Sequence, residues 1–359
     1  MNTQRVNAIV FCEGAFSTTY GKTAHGLIRF TRRYRVCAVI DSTLSGQDAG
    51  EFLDAEPSGI PIVATLAEAL ETAEKAGCPA SHFVVGIAVE GRQLPENLVN
   101  AASEALEAGL HIDSGLHVFL SEFQPLAQLA SARGVRILDI RKPPAVEELH
   151  FFSGRIEEVR SFRTAVLGTD SAIGKRTTAW LIIQGLEKRG LSAELIGTGQ
   201  TAWMQGADYS LVMDSLINDF VAGEIEHAVL SAWDQRRPEH IIIEGQGSLM
   251  NPAFPGGFEI LAAARPHCIV LQHAPARKEY DGFPGYPLHP LSTQIQALEL
   301  ISGKKVIAIS VNHHGLAREE VPAVCRGIET ETGLPCCDPL IQGIEILVDA
   351  ILEAAQACR

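Results

Sequence analysis

Short apolar runs alternate with segments of helical periodicity along the whole chain. In its first part, strand-length apolar runs lie at 6–12, 35–40, 82–88, 111–113 and 135–139, and helical patterns lie at 21–32, 67–76, 97–108 and 118–133. Apolar runs without polar alternation are typical of strands that are buried on both faces of a parallel sheet. The regular exchange of strand and helix therefore predicts an α/β fold with a Rossmann-like parallel sheet.

The same alternation continues in the second part of the chain. Apolar runs lie at 164–167, 193–196, 240–243, 267–272 and 305–311, with helical patterns at 224–235, 317–332 and 344–357. Between the two parts, the segment 143–152 contains two prolines followed by acidic residues. This composition predicts a boundary, and we expect one domain at 1–150 and a second at 151–359.

The segment 161–184, SFRTAVLGTDSAIGKRTTAWLIIQ, places a glycine-bounded loop between a buried strand and a helix. A lysine stands at the start of that helix, as in loops that bind phosphates with backbone N–H groups. The predicted phosphate-binding residues are Gly168, Thr169, Gly174, Lys175, Arg176, Thr177 and Thr178. The second domain is therefore predicted to have a P-loop parallel sheet. The alternative interpretation of the loop is an ordinary turn between strand and helix with a helix-capping glycine.

This loop differs from the usual P-loop pattern in two ways. Five residues separate Gly168 from Gly174 instead of the usual four. Arg176 follows the lysine, where a Ser or Thr normally binds Mg²⁺. Magnesium binding through this loop is therefore a weaker prediction than phosphate binding.

Polar residues follow several other predicted strands, at the edge where open α/β sheets bind ligands. Glu244 ends a fully apolar strand, so we predict a catalytic or metal-binding carboxylate there, or else a simple turn cap. Asp170 and Asp214 are the other candidate acids. Thr198, Gln200 and Gln246 are predicted to contact substrate, and Asn312 is predicted to contact a nucleoside.

The predicted first sheet has features of a dinucleotide site without its full motif. Its second strand ends in Asp41, where a ribose-binding acid would lie, but no G-x-G-x-x-G sequence follows the first strand. A Rossmann-like platform without a dinucleotide is the favoured interpretation, and Gly21-Lys22-Thr23 remains a candidate anion site. Arg141 and Lys142 either bind a substrate carboxylate or belong to a solvated loop.

The composition excludes several classes of partner. The chain has 29 basic and 43 acidic residues and a net charge of −14, which disfavours nucleic acids and anionic membranes. No apolar run approaches the roughly 18 residues of a membrane span, and no N-terminal signal is recognisable, so we expect a cytoplasmic protein. We also expect a homo-oligomer that acts on a small molecule.

The segment 274–290, rich in Pro, Gly and aromatic residues, is predicted to be a substrate loop, with Arg277 binding a substrate carboxylate.

Two resemblances rest on these motifs. The residues Gly168-Thr169-Asp170, Gly174-Lys175 and Glu244-Gly245-Gln246-Gly247 resemble those of dethiobiotin synthetase, and Asp214 falls where its third carboxylate would lie. A resemblance over nearly the whole chain is to a bacterial family of unknown function with a Rossmann-like first half and a P-loop second half. It rests on GKTAHGLIR, AVIDS, GLH, DIRKPP, GTDSAIGKRTT, GTGQT and EGQGSLMNP. One branch of this family is similar to D-glutamate N-acetyltransferase, but this chain lacks the opening and the Trp-Arg-Pro segment of that branch.

These resemblances imply two enzymatic hypotheses. In the first, the P-loop binds acetyl-CoA, and the acetyl group moves to the amino group of a small acidic amino acid. Glu244, Asp170 or Asp214 would be the base, and Thr198 or Gln200 would polarise the thioester. In the second, the protein is an ATP- and Mg²⁺-dependent ligase or kinase, and the same three acids hold the metal. A non-catalytic nucleotide-binding regulator is a third possibility.

Overall fold

The computed structural model describes residues 5–88 and 94–358. The elements of its first part are β1 (Val6–Phe11), α1 (Lys22–Arg29), β2 (Tyr34–Ile40), α2 (Ala49–Asp54), β3 (Ile62–Val63), α3 (Leu66–Lys75), β4 (His82–Val85), α4 (Glu96–Glu107), β5 (His111–Ser114), α5 (Gln124–Arg133) and β6 (Ile137–Asp139). Its strands form a six-stranded parallel sheet, as far as the described ranges show, in the order β3-β2-β1-β4-β5-β6. This is the Rossmann order, with a switch point between β1 and β4.

Consecutive strand residues point to opposite faces of the first sheet. Helices pack on both of these faces, so residues of both sets are buried. Ile9 and Phe11 lie in a core with Leu98 of α4. Val10 lies in a second core with Leu27 of α1. The unbroken apolar runs of the sequence follow from this burial on both faces.

The second part continues the alternation. Its elements are β7 (Phe162–Gly168), α6 (Lys175–Lys188), β8 (Ala193–Gly197), α7 (Gln200–Gln205), β9 (Tyr209–Ser210), α8 (Asn218–Arg236), β10 (His240–Glu244), β11 (Cys268–His273), α9 (Leu291–Ser302), β12 (Val306–Val311), α10 (Val321–Thr332), β13 (Cys336–Cys337) and α11 (Glu345–Ala357). A seven-stranded parallel sheet, counted over the described residues, has the order β13-β12-β11-β7-β10-β8-β9. The strand that carries the predicted P-loop, β7, is therefore central. The predicted fold class, α/β with two parallel sheets, is confirmed.

Helices also cover both faces of the second sheet. Leu271 of β11 and Ile309 of β12 share a core with Ile225 of α8. The next residues along these strands, Gln272 and Ser310, contact the helix on the opposite face, α6.

The chain divides into two compact units whose boundaries are not contiguous in sequence. The first unit comprises residues 1–144 together with 200–206, and the second comprises 145–199 and 207–359. Helix α7 thus belongs to the first unit, in contrast to the expected contiguous division at residue 150. Its Gln205 donates hydrogen bonds to the carbonyls of Gly26 and Phe30 at 2.8 and 2.9 Å, which ties the end of α7 to α1.

Two predicted elements differ from the structure for identifiable reasons. The helix expected over 118–133 begins only at Gln124. Before it, the carboxylate of Asp139 accepts the N–H groups of Leu120 and Ser121 and holds a 3₁₀ turn. The structure also has a helix, α7, from Gln200 to Gln205, where the sequence predicts none, because this helix is fixed by contacts with distant residues of the first unit.

Candidate functional site

The loop between β7 and α6 folds back sharply over the end of the sheet. Ala172 and Gly174 have positive φ angles of 52° and 97°. A Cβ at Gly168 would lie 2.9 Å from Cδ of Lys175, so a larger residue there would require the lysine side chain to shift. The N–H groups in the first turn of α6 have no acceptors within the helix and carry the positive end of its dipole. This arrangement suits a bound phosphate.

Lys175 closes this loop with two hydrogen bonds. Its buried Nζ donates to the carbonyl oxygens of Asp170 at 2.6 Å and Gly247 at 2.8 Å. Gly247 belongs to the segment after β10, so the lysine links the phosphate loop to the neighbouring strand end. The ammonium charge is thereby held beside the N-terminus of α6.

Asp170 is fully buried and binds four hydrogen-bond donors. Its Oδ1 accepts Ser171 N at 2.7 Å and Asn251 Nδ2 at 2.8 Å. Its Oδ2 accepts Arg277 Nη1 at 2.7 Å and Asp281 N at 2.9 Å. A carboxylate has about four acceptor positions, so this one is saturated. We therefore regard Asp170 as a positioning residue that fastens two other loops to the phosphate loop.

Glu244 lies at the end of β10, where β7 is its neighbour, and it is also buried. Its Oε2 accepts the N–H of Thr198 at 3.0 Å. Burial raises the pKa of Glu244, while the charge of Arg176, the Thr198 N–H and the charge of Lys175 each lower it. A buried carboxyl group with a raised pKa beside a phosphate loop is a candidate for proton transfer.

Thr198 and Gln246 hold the backbone around Glu244. The Thr198 hydroxyl donates to the Glu244 carbonyl at 3.1 Å. Gln246 Nε2 lies 3.0 Å from the Thr198 carbonyl and 3.2 Å from its hydroxyl. Both side chains predicted to bind substrate are thus engaged with each other, and they fix the position of the buried acid.

The three residues after Lys175 have different surroundings. Arg176 is half-buried, and its charge acts on Glu244. Thr178 is buried, and its hydroxyl donates to Gln272 Oε1 at 2.6 Å and lies 3.1 Å from Ser310 Oγ. Thr177 is half-buried. The hydroxyl of Thr178 therefore serves packing between α6 and the sheet.

The three predicted metal-binding carboxylates do not form a common cluster. Asp214 is exposed in a 3₁₀ turn, whereas Asp170 and Glu244 are buried with separate partners. Within 5–88 and 94–358, no three His, Cys, Asp or Glu side chains are grouped so that they could hold a metal ion. The ligand set expected for an Mg²⁺-dependent enzyme is not assembled.

On the other side of the phosphate loop, Asn312 follows β12. Its Nδ2 donates to the carbonyl of Ile173 at 2.8 Å and lies close to Gly174. Thr169 Oγ1 lies 3.0 Å from Nδ1 of His273, at the end of β11. Both predicted residues thus border the loop.

The basic residues predicted to bind a substrate carboxylate all have protein partners. Arg277 forms an ion pair with Asp170 at 2.7 Å and is mostly buried. In the first unit, Arg141 Nε donates to the Gly115 carbonyl at 2.8 Å, and Lys142 pairs with Glu122 at 2.9 Å. Gln200 packs against Gly115 in that unit as well.

The first sheet has a corresponding edge, where its parallel strands reach their carboxyl ends. Residues of the first unit itself occupy this edge. The buried carboxylate of Asp41 accepts Phe16 N at 3.0 Å, and its other oxygen accepts the N–H and hydroxyl of Thr43. A Cβ at Gly21, before α1, would lie 2.7 Å from the Ala15 carbonyl. Residues 15 and 16 therefore pack against Gly21 at the start of α1 and bind Asp41.

Sequence reasoning missed Asn251 and Asp281. Asn251 lies in the EGQGSLMNP segment on which the family resemblance rests, and this position in a motif is the signal that could have marked it. Asp281 contributes its backbone N–H, which no side-chain pattern can reveal.

The fold and the site together define a P-loop protein with an additional Rossmann-like unit. The family model of the Rossmann-like domain DUF1611_N matches residues 42–143, and that of the P-loop domain DUF1611_C, a domain of unknown function, matches residues 150–348. The chain belongs to this family, DUF1611, as the motifs of the sequence predicted.

Individual relatives cover most of the chain. A protein of Tritonibacter scottomollicae named D-glutamate N-acetyltransferase is 32% identical over 288 residues, 79% of this chain and 84% of that protein. A Pseudoalteromonas protein of the same name is 30% identical over 286 residues, 77% and 82% of the two chains. The crystal structure of a DUF1611 protein from Anabaena variabilis ATCC 29413 is similar with a TM-score of 0.87 and 29% identity, over 97% of this chain and all of that one.

A further observation concerns membranes. No helix in the described part of the chain combines the length and apolar character needed to cross one.

Proposed function

We propose that this protein is an N-acyltransferase that moves an acetyl group from acetyl-CoA to the amino group of a small acidic amino acid. The observation that carries the proposal is a phosphate loop with two adjacent basic residues, Lys175 and Arg176, beside the buried acid Glu244. The name shared by two relatives, D-glutamate N-acetyltransferase, supports D-glutamate as the acceptor.

The phosphates of CoA are assigned to the N-terminus of α6. Arg176 stands where an Mg²⁺-binding hydroxyl is usual, and its guanidinium supplies positive charge that suits paired hydrogen bonds to a phosphate. Lys175 adds a second charge, and the N–H groups of the helix provide further donors. The proposal needs no metal at this position.

Glu244 is assigned as the general base. The acceptor enters as an ammonium group, so one proton must leave before the nitrogen attacks the thioester carbonyl. Glu244 takes that proton, the C–N bond forms, and the C–S bond breaks. The departing CoA thiolate takes the second proton of the nitrogen. Thr198 and Gln246 act by holding Glu244, and Arg277 stabilises the loop through Asp170.

The direct test is product formation in a chelated buffer. The purified protein is incubated with acetyl-CoA, D-glutamate and EDTA, and N-acetylglutamate is measured by mass spectrometry together with the released thiol. L-Glutamate is the control for the acceptor. We expect equal amounts of product and thiol with EDTA present. Mg²⁺-dependent ADP formation from ATP, with no acetylated product, would instead establish the ligase or kinase class.

A further inference from the structure

Three aromatic rings form a row on two loops of the second unit. The ring centroids of Phe254 and Phe283 are 6.5 Å apart, and those of Phe283 and Tyr286 are 6.2 Å apart. Phe254 and Tyr286 are each 56% exposed. We call Phe254, Phe283 and Tyr286 the aromatic row. Neighbouring exposed rings of this kind mark a binding surface more often than isolated apolar residues do.

The backbone of both loops is well fixed. Phe254 N donates to Asn251 Oδ1 at 2.8 Å, and the Phe254 carbonyl accepts the N–H of Ser248 at 3.2 Å. In the second loop, Tyr280 N donates to the Tyr286 carbonyl and Tyr286 N donates to the Phe283 carbonyl. The backbone segments that carry the rings are therefore fixed by hydrogen-bonded turns.

The row is attached directly to the phosphate loop. Asn251 of the first loop and Asp281 of the second both donate to the carboxylate of Asp170. The first loop also begins immediately after Glu244 and includes Gly247, whose carbonyl accepts a hydrogen bond from Lys175. Asn312 lies on neither of these two loops. It contacts the phosphate loop at Ile173 and Gly174.

We propose that the aromatic row binds the pantetheine arm of the acyl-CoA, an inference that rests on the proposed function. The arm joins the phosphates to the thioester, so it must run from the α6 N-terminus towards the base. Both loops that carry the row are hydrogen-bonded to Asp170 of the phosphate loop, and the first of them follows Glu244 directly. Methylene and dimethyl groups of the arm would pack against the rings and lose contact with water.

The test compares acetyl-CoA with adenosine 3′,5′-bisphosphate, which keeps the adenosine, the 3′-phosphate and one 5′-phosphate but lacks the second 5′-phosphate and the arm. Dissociation constants are measured by calorimetry for wild type, Phe254→Ala, Tyr286→Ala and Tyr286→Phe. We expect each alanine variant to weaken acetyl-CoA about tenfold, which corresponds to the burial of part of one side chain. Binding of the bisphosphate should be unchanged, and Tyr286→Phe should bind as wild type because it keeps the ring.

Phe151→Ala serves as the matched control, since this ring is 68% exposed elsewhere in the same unit. It should leave both ligands unaffected, and melting temperatures should show that all variants are folded. Unchanged acetyl-CoA binding in both alanine variants would overturn the inference, as would an equal loss for the two ligands, which would place adenine on the row. Failure of wild type to bind acetyl-CoA would overturn the proposed function itself.

Discussion

The carboxyl edges of the two parallel sheets have the same architecture and different contents. At the first sheet, Asp41 is buried, and both of its carboxylate oxygens accept hydrogen bonds from Phe16 and Thr43 of its own chain. At the second, Lys175 and the N-terminus of α6 hold positive charge beside the buried acid Glu244. The comparison teaches that parallel strand order provides an edge where a site can be built, and that the loops determine which groups occupy that edge.

Packing explains why the first edge is filled. Phe16 is fully buried, with His25 in a T-shaped contact at 5.1 Å and Phe52 at 5.8 Å. Removing such a ring from a core costs about 3–5 kcal/mol, so displacing it for a dinucleotide would be expensive.

The largest expected effect comes from Glu244→Gln, which keeps the shape of the acid at the second edge and removes its proton acceptor. We expect kcat to fall about 10²–10⁴-fold, the usual contribution of a general base. Steady-state kinetics measure the loss, and circular dichroism checks the fold. An unchanged kcat would remove Glu244 from the chemistry.

Arg176→Thr restores the usual P-loop residue and tests whether the second edge uses a guanidinium in place of a metal. We expect acetyl-CoA affinity to fall about tenfold, as for the loss of one charge-assisted contact, without a new Mg²⁺ requirement. Because Arg176 lowers the pKa of Glu244, its removal should raise that pKa and move the rising limb of the pH–rate profile to higher pH. Arg176→Lys is the control that keeps the charge. A variant that became active only with Mg²⁺ would contradict the metal-free account.

Asp41→Asn tests the claim that the first edge is structural. The amide offers one acceptor oxygen where the carboxylate uses two, so a buried N–H or hydroxyl loses its partner. We expect the free energy of unfolding to fall by about 1–3 kcal/mol, with acetyl-CoA affinity unchanged. Asp54→Asn, at the exposed ion pair with Arg29, should cost less than about 1 kcal/mol. Weaker acetyl-CoA binding in folded Asp41→Asn would show that the first edge contributes to the site.

The smallest predicted effect concerns the pH dependence of folding stability, and it arises from His273. Burial, with the charge of Lys278, lowers the pKa of His273 to about 4. The unfolded chain takes up this proton near its ordinary pKa of about 6.5, so stability should decrease as the pH falls from about 6.5 to 4. His273→Asn should reduce this slope in denaturant titrations, and exposed His314→Asn should not. Equal slopes in wild type and His273→Asn would refute the assignment.

The sequence predicts the fold well because buried parallel strands leave long apolar runs. The strands around Ile9 and Ile242 are recognisable from these runs alone, and so is the P-loop between Gly168 and Lys175. The late start of α5 is less accessible, because it depends on Asp139 reaching Leu120 and Ser121. The same holds for α7, which is fixed by contacts far away in sequence.

At the site, the sequence predicts which residues lie at strand ends but not how they are partnered. Their positions in motifs predict Glu244 and Lys175 as site residues. The saturation of Asp170 by Asn251, Arg277 and Asp281 depends on three-dimensional contacts between loops. Charged residues of similar appearance in the sequence, such as Asp170 and Glu244, consequently have different roles.

The central claim is that the second edge binds the phosphates of acyl-CoA without metal. Calorimetric titration of wild type and Lys175→Ala with acetyl-CoA and with D-glutamate, both in EDTA, tests it most directly. Lys188→Ala, an exposed lysine in the last turn of the same helix, is the matched control. The account predicts that wild type and Lys188→Ala bind acetyl-CoA equally, that Lys175→Ala binds it about 10–100-fold more weakly, and that D-glutamate affinity is unchanged. Equal loss of both ligands in Lys175→Ala, or wild-type binding only to ATP with Mg²⁺, would contradict it.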